Sequence, residues 1–163
     1  MTKKRRPEPQ ESIHYRSPPQ NLDAEAALLS AVLLDNQVLN EIVDAVSPSD
    51  FYKSTHRAVF GGMIELSRTN EPIDLVTLAE WFRKKKQLQK AGGGAYLSKL
   101  IEQVPAAVNA VHYADIVREK AILRSLIEQA NAIIKRCQDE TGDSRKVIDY
   151  VERSLLRIIR QDT

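Results

Sequence analysis

The residues that most often carry chemistry are few in this chain and far apart. Its three histidines, His14, His56 and His112, fall in separate segments, and its single cysteine, Cys137, has no second thiol to pair with. Zinc sites usually take such side chains at short, recurrent spacing. Acidic residues are expected in first turns of helices and on solvated faces, where nothing tunes them as acids or bases. We predict no catalytic residues and no metal site, and we expect His56 to be a hydrogen-bonded structural histidine.

The signals for phosphate binding are also weak. Gly92-Gly93-Gly94 precedes a predicted helix, whose amides can face an anion, but the pattern G-x-x-x-x-G-K-[ST] occurs nowhere. The chain should therefore neither bind nor hydrolyse ATP. The basic run from Arg83 to Lys86 either contacts nucleic acid or complements a helix dipole in solvent. A net charge of +2 gives no general attraction to DNA, so we expect weak DNA binding or none.

Composition and periodicity predict an all-α protein. Hydrophobic residues make up 42% and charged residues 28%, which is typical of globular domains. No stretch alternates polar and apolar residues as a half-buried strand does. No apolar run is long enough to span a membrane, and the basic start leads into Pro7 rather than a secretory signal. We expect a cytoplasmic protein whose residues 1–20, basic and rich in proline, form a flexible arm.

Residues 21–105 are predicted to form a compact helical globule. Asn21 and Asp74 are placed to cap the first and fourth of its five helices, and a second helix is expected from Gln37 to Val46, with Val43 on its buried face. The aromatic residues should form the core, since they bury the most area each. Gly61-Gly62 within the third helix predicts a bend or the close approach of another backbone. The aromatic residues in question are Phe51, Tyr52, Phe60, Trp81, Phe82 and Tyr96.

Residues 106–160 are predicted to form a long antiparallel helical hairpin. The first helix should begin after a cap at Asn109 and end at Gly142, and the short turn makes the second helix its antiparallel neighbour. One apolar stripe on each helix should form the seam, with Cys137 as a small buried residue. A fragment ending near residue 108 should then remain a folded monomer. The expected stripes are Leu123, Leu126, Ala130, Ile133 and Cys137 on the first helix, and Ile148, Val151, Leu155 and Ile158 on the second.

Further aliphatic residues lie beside these stripes and would leave an apolar flank in water. Contiguous apolar surface usually marks a contact site, so we predict self-association through the hairpin. The alternative is that the flank packs back on the N-terminal half of the chain. The residues assigned to self-association are Leu123, Leu126, Ile134, Val151, Leu155 and Ile159.

The order of short motifs resembles the N-terminal domain of the bacterial replicative DNA helicase, the DnaB family. The similarity covers about residues 18–160. Each motif is weak alone, whereas seven in this order are specific. The motifs are Pro18-Pro19-Gln20-Asn21-Leu22-Asp23-Ala24-Glu25, Leu33-Leu34-Asp35-Asn36, Asp50-Phe51-Tyr52 with His56-Arg57 and Phe60, Glu71-Pro72-Ile73-Asp74-Leu75-Val76-Thr77, Gly93-Gly94-Ala95-Tyr96-Leu97, Pro105-Ala106-Ala107-Val108-Asn109, and His112 to Lys120.

The resemblance implies the collar domain of a hexameric helicase. Six such domains form a trimer of dimers in that family, paired through their hairpins, and the collar recruits a DnaG-type primase, with a helicase loader as a further candidate partner. The motor domain, which would use ATP and Mg²⁺ to unwind duplex DNA, is expected to be absent, because the sequence ends at Thr163 before any Walker motif. Two alternatives remain open: a free-standing helicase-loader or adaptor subunit, and a small helical DNA-binding regulator.

By match to the family, four residues are assigned to the primase side. Ile127 and Ile133 are the expected contacts on the hairpin, and Tyr96 and Asp23 are the expected contacts on the globule. Apolar side chains on a hairpin and a tyrosine nearby offer area that an incoming helix can bury. Ile133 also lies on the predicted seam, so its alternative role is in the packing of the hairpin itself.

Overall fold

Seven α-helices and two short 3₁₀-helices make up the regular structure of the part of the chain that a computed structural model describes, residues 17–102, 109–139 and 143–162. This confirms the all-α prediction. The predicted elbow at 105–108, the turn at Gly142 and most of the arm lie outside the described residues. The α-helices are α1 (Leu22–Leu34), α2 (Gln37–Ile42), α3 (Ser54–Arg68), α4 (Leu75–Lys84), α5 (Gly93–Glu102), α6 (Ala110–Gln138) and α7 (Ser144–Asp162).

Two of the three predicted helix caps form. The Asn21 side chain accepts a hydrogen bond from the amide of Ala24 at 2.9 Å, and the Asp74 carboxylate accepts from two amides of α4. Each bond satisfies a first-turn donor that has no partner inside its helix. Asn109 stands at the N-cap position of α6, but its side chain makes no capping bond. The start of α6 is instead fixed by packing, since Ala110 is buried.

Helix α1 is the centre of the globule. Ten consecutive residues, from Ala24 to Leu33, are buried, and α1 contacts α2, α3, α5 and α6. A helix that is apolar on all sides must be covered on all sides. Phe51, Phe60 and Phe82 complete the core as predicted. The other predicted core rings are wrong in part: Tyr52 is exposed, and Trp81 and Tyr96 are only half-buried.

The glycine pair in α3 serves the packing of α4. Helix α3 runs through Gly61 and Gly62 without interruption. A methyl group at Gly62 would lie 3.1 Å from Leu78 and 3.2 Å from Phe82, whereas at Gly61 it would meet open space. The predicted bend or backbone approach is therefore wrong. Side chains of α4 occupy the space that the missing Cβ of Gly62 leaves.

Helix α2 is shorter than predicted. It ends at Ile42 rather than Val46, and Val43 is 41% exposed instead of buried. The chain then turns so that Val46 reaches the core. A 3₁₀-helix, Pro48–Asp50, follows, in which Asp50 Oδ2 accepts from the amide of Ser47 at 2.8 Å.

Helix α6 belongs to both parts of the fold. Its 29 residues give a rod of about 43 Å at ~1.5 Å per residue. The buried residues of its first half, Ala110, Ala114, Val117 and Ala121, recur at helical spacing, and α6 packs along α1. Past Ala121 no residue of α6 is buried. The first half of α6 thus covers α1, although the predicted boundary at residue 105 assigns the two helices to different parts of the fold.

Candidate functional site

The outer half of α6 carries an exposed apolar stripe. Leu123, Leu126, Ile127 and Ile134 are between 38% and 50% exposed. They follow one another at spacings of three, one and seven residues, so they lie on one side of a helix with 3.6 residues per turn. Ala130 and Cys137 stand on the same side and are also exposed. We call this surface, together with its counterpart on α7, the apolar face.

Helix α7 contributes Ile148 and Leu155, which are 63% and 40% exposed, and Ile159 lies on the same stripe. Two facts place the stripes of the two helices together. On each helix, the exposed stripe lies about 100 to 130° around the helix axis from the side that contacts the other helix. The angle is counted in the direction of increasing residue number, at ~100° per residue. Because the helices run in opposite directions, equal rotations bring both stripes to the same side of the hairpin.

The seam of the hairpin is more polar than predicted. The half-buried residues of α6 include Ile122, Ser125 and Gln129, and Ser154 of α7 is buried. Tyr150 lies within hydrogen-bond distance of Gln129, at 3.0 Å between the hydroxyl and Oε1. The guanidinium of Arg136 lies 3.8 Å from the centre of the Tyr150 ring, a cation–π contact. These contacts hold the two helices together.

The predicted seam residues divide into two groups. Ile133, Val151 and Ile158 are half-buried as seam residues should be. The prediction is wrong for the others, which are exposed on the apolar face, and Cys137 is not a buried residue. The exposed members are Leu123, Leu126, Ala130 and Cys137 of α6, and Ile148 and Leu155 of α7.

A second candidate surface lies on the globule around Tyr96. The Tyr96 hydroxyl is 2.5 Å from His56 Nε2 and 3.0 Å from Lys53 Nζ. His56 Nδ1 is 2.6 Å from Glu25 Oε2, and Glu25 also accepts from the amides of Tyr52 and Lys53. Both Glu25 and His56 are 2% exposed. The prediction of a hydrogen-bonded structural histidine is confirmed.

The donors in this chain of contacts can be assigned in order. An ammonium group only donates, so Lys53 donates to the Tyr96 hydroxyl. An ionised carboxylate only accepts, so His56 Nδ1 donates to Glu25, and His56 Nε2 lies within hydrogen-bond distance of the Tyr96 hydroxyl. The half-buried ring of Tyr96 is thereby linked through His56 to the buried carboxylate of Glu25. Asp23 is exposed in the first turn of α1, two residues before Glu25.

The four predicted primase contacts therefore occupy two places. Asp23 and Tyr96 lie on α1 and α5 of the globule, and Ile127 and Ile133 lie on the outer half of α6. Ile127 is exposed, whereas Ile133 is half-buried at the seam. Among the described residues, no hydrogen bond or ring contact joins the two pairs.

Several buried polar residues were missed by the sequence analysis. Glu25 and Asp50, whose burial the sequence analysis did not predict, are buried. Asp50 forms an ion pair with Arg118 of α6 at 3.0 Å, and Arg124 Nη1 donates to the carbonyl of Pro19 at 2.7 Å. These bonds tie the globule to α6. The described residues include no group of His, Cys, Asp and Glu side chains suited to a metal ion, and none of their helices is long and apolar enough to cross a membrane.

Comparison with known proteins adds a family to this geometry. Residues 17–119 match the model of the DnaB-like helicase N terminal domain. The replicative DNA helicase DnaB of Haemophilus influenzae is 40% identical over 147 residues, which are 90% of this chain and 31% of that protein. The corresponding helicase of Geobacillus stearothermophilus is 36% identical over 148 residues. The chain thus spans about a third of the length of these curated relatives.

Solved structures agree in fold. The N-terminal domain of DnaB helicase from Mycobacterium tuberculosis superposes with a TM-score of 0.80 at 34% identity, over 86% of this chain and 99% of that one. A structure described as a DnaB-like replicative helicase and its interactions with primase superposes with a TM-score of 0.70 at 25% identity, over 85% of this chain and 31% of that one.

Proposed function

The chain belongs to the family of DnaB-like helicase N-terminal domains, and from that premise we propose that it acts as the collar of a hexameric replicative helicase. In this role it assembles the ring through its hairpin and recruits a primase. The parent protein unwinds duplex DNA with ATP and Mg²⁺ held by a separate motor domain. The collar functions in the cytoplasm, and a helicase loader is a further candidate partner.

The observation that carries the proposal is the apolar face. At least five large aliphatic side chains of α6 and α7 are exposed on one side of the hairpin. Fully burying such a side chain contributes about 1.5 to 3 kcal/mol, which is a strong drive toward association. A second hairpin presents the same face, so two copies can pair about a two-fold axis. Three such pairs complete a ring as a trimer of dimers.

Two adjacent leucines of α7 provide a matched test of this pairing. Leu155 lies on the apolar face, whereas Leu156 is rotated by ~100° and points away from it, and the two are 40% and 45% exposed. We expect Leu155→Asp to convert the associated protein to a monomer in analytical ultracentrifugation, because it places a charge in the interface. Leu156→Asp makes the same chemical change and should leave association intact.

Two outcomes would contradict the pairing. One is a wild-type chain that stays monomeric at high concentration. The other is equal dissociation by both aspartate variants, which would show that charge on α7 matters and the apolar face does not. Circular dichroism of each variant checks that the helices are retained.

For primase docking, we propose that the C-terminal helicase-binding region of the primase contacts Ile127 and Ile133 on the hairpin, and Tyr96 and Asp23 on the globule. The exposure of Ile127 and the fixed orientation of the Tyr96 ring support this assignment. An aliphatic anchor and a rigid tyrosine are the side chains that an incoming helix buries with most gain.

Calorimetry with the purified primase domain tests the docking site. Ile127→Asp should weaken binding by about 2 kcal/mol or more, the scale of an interface hot spot, and Leu156→Asp should not. Because Ile127 borders the self-association surface, the oligomeric state of each variant is measured in the same samples. Unchanged affinity in a folded Ile127→Asp protein would remove the hairpin from the docking site.

A further inference from the structure

A polar cleft lies where the globule meets the hairpin, away from the apolar face. It has a volume of about 250 Å³ and is bounded by the 3₁₀-helix Pro48–Asp50, α3, α6 and α7. Three guanidinium groups, those of Arg57, Arg118 and Arg124, line it. The hydroxyls of Ser49 and Ser125 add neutral donors. We call it the arginine cleft.

The positive charge in the arginine cleft is only partly balanced. Asp50 is buried, and its Oδ1 pairs with Arg118 at 3.0 Å while its Oδ2 accepts from the amide and hydroxyl of Ser47. This carboxylate is therefore already matched. Glu128 also lines the cleft and is exposed, as Arg57 is, so three guanidinium groups face two carboxylates.

Arg57 and Arg124 are held by neutral groups. Arg57 Nη2 donates to the carbonyl of Phe51 at 3.0 Å, and Arg124 donates to the carbonyls of Pro19 and Asp50. Within the described residues, no carboxylate lies within ion-pair distance of either guanidinium. The carbonyls fix the orientation of both groups and leave their charges without a fixed counter-ion.

From this arrangement we propose that the arginine cleft binds a phosphate group. A guanidinium carries five N–H donors in a rigid fork that matches two phosphate oxygens at once. Arg57 uses one donor and Arg124 two on the carbonyls, so both retain donors for a ligand. A cleft lined by charge of one sign also concentrates counter-ions.

The size of the arginine cleft limits the ligand. Its volume equals that of roughly eight water molecules at ~30 Å³ each, and ligand pockets for whole drug-sized molecules start at about 300 Å³. Inorganic phosphate, pyrophosphate or the terminal phosphate of a longer molecule fits, whereas a complete nucleotide would extend beyond the cleft. The proposal does not depend on ring assembly or primase binding.

Isothermal titration of the intact chain with phosphate, pyrophosphate and ADP, each at ionic strength matched with sodium chloride, tests the site. We expect saturable binding of phosphate or pyrophosphate. Arg57→Gln should weaken it at least about tenfold, because each hydrogen bond to a charged group contributes a factor of that order. Arg68→Gln is the control: it removes an exposed arginine of the same helix that pairs with Glu65 outside the cleft.

The arms of this experiment separate the possible sources of the phosphate. Binding of ADP in addition to pyrophosphate, with equal sensitivity to Arg57→Gln, would support recognition of a terminal phosphate. Binding of ADP alone would overturn the proposal, since the base or sugar would then be recognised. Heats no larger than those of sodium chloride, or equal binding by Arg57→Gln and Arg68→Gln, would overturn it as well. The circular dichroism spectrum confirms that each variant is folded.

Discussion

At the scale of single residues, the buried carboxylate of Glu25 has the greatest structural weight. It accepts hydrogen bonds from His56 and from the amides of Tyr52 and Lys53, at 2.6, 2.7 and 3.3 Å. Replacing it by alanine leaves buried donors without an acceptor, and each costs about 1 to 3 kcal/mol. We predict that Glu25→Ala lowers the free energy of unfolding by about 3 kcal/mol or more in urea denaturation.

Two variants control this prediction. Glu25→Gln keeps one acceptor oxygen and should cost less than Glu25→Ala. Glu65→Ala removes a carboxylate from a surface pair with Arg68, and exposed pairs contribute only about 0 to 1 kcal/mol. If Glu25→Ala were as mild as Glu65→Ala, the carboxylate would not hold the chain from Tyr96 to α1.

Ser30 is a buried polar residue that, unlike Glu25, should lower the stability of the fold. Its side chain is fully buried in α1, and its hydroxyl has no hydrogen-bond partner among the described residues. A buried hydroxyl without a partner costs free energy that an alanine would not. We predict that Ser30→Ala raises the free energy of unfolding by about 1 kcal/mol, measured by thermal and urea denaturation. A clear loss of stability would show that the hydroxyl is bonded in solution.

The sequence does not distinguish Glu25 from Asp23. Both are acidic residues in the first turn of a helix, where negative charge is favourable in itself. Only the partners of Glu25, which are His56 of α3 and the amides of Tyr52 and Lys53, 27 to 31 residues away, show that one carboxylate is buried and the other is not. The same holds for Asp50, whose partner Arg118 is 68 residues away.

At the scale of helices, α3 offers a comparison of two neighbouring glycines. A Cβ at Gly62 would lie 3.1 Å from Leu78 and 3.2 Å from Phe82, and a Cβ at Gly61 would meet nothing. We predict that Gly61→Ala stabilises the protein by about 0.5 to 1 kcal/mol, because alanine loses less backbone entropy in a helix. Gly62→Ala gains the same term but crowds the core, and overpacking costs about 1 to 3 kcal/mol.

Thermal denaturation of the two single variants measures this difference directly. Both changes add the same methyl group to the same helix, so the gain in helix propensity is equal in the two variants. The difference in their stability therefore reports the packing against α4. Equal stabilisation by both variants would mean that α4 moves away from α3 without cost.

The hairpin shows which part of an element the sequence predicts. Periodicity and a predicted short turn indicate two long helices in antiparallel contact. The structure has both helices, and they contact each other. Which face of each helix meets the other does not follow, because periodicity assigns the most apolar stripe to the seam. In the structure, the seam includes Ser154, whose small side chain is buried, and the hydrogen-bonded pair Gln129 and Tyr150. The more apolar stripe is left exposed, and the periodicity of one chain does not show which of two stripes meets the other helix.

At the scale of the whole molecule, the sequence predicted the order of the helices and the core phenylalanines, because local periodicity and helix caps indicate both. The junction was not, since it rests on long-range bonds such as that from Arg124 to the carbonyl of Pro19, 105 residues apart. Helix α6 begins in the globule and ends in the hairpin. The globule and the hairpin therefore share α6.

This continuity makes a prediction about the smallest fragment that folds. A fragment of residues 17–108 lacks Ala110, Ala114 and Val117, which cover α1, and it also lacks Arg118, the partner of Asp50. Exposing the apolar side chains of α1 and leaving Asp50 unpaired costs several kcal/mol by the usual scale of about 1.5 to 3 kcal/mol per large aliphatic side chain. Most domains are stable by only about 5 to 15 kcal/mol. In contrast to the expectation from the sequence alone, we predict that this fragment loses its cooperative thermal transition in circular dichroism.

The longer fragment of residues 17–128 is the matched control, because it keeps the first half of α6 together with Arg118 and Arg124 and omits α7 entirely. It should melt cooperatively and, without the paired stripes of two helices, associate less than the intact chain. The comparison separates the two roles of α6: stability should depend on its first half and association on its second. A cooperative transition in residues 17–108 at the temperature of the longer fragment would instead restore the boundary at residue 105 and make α6 dispensable for the globule.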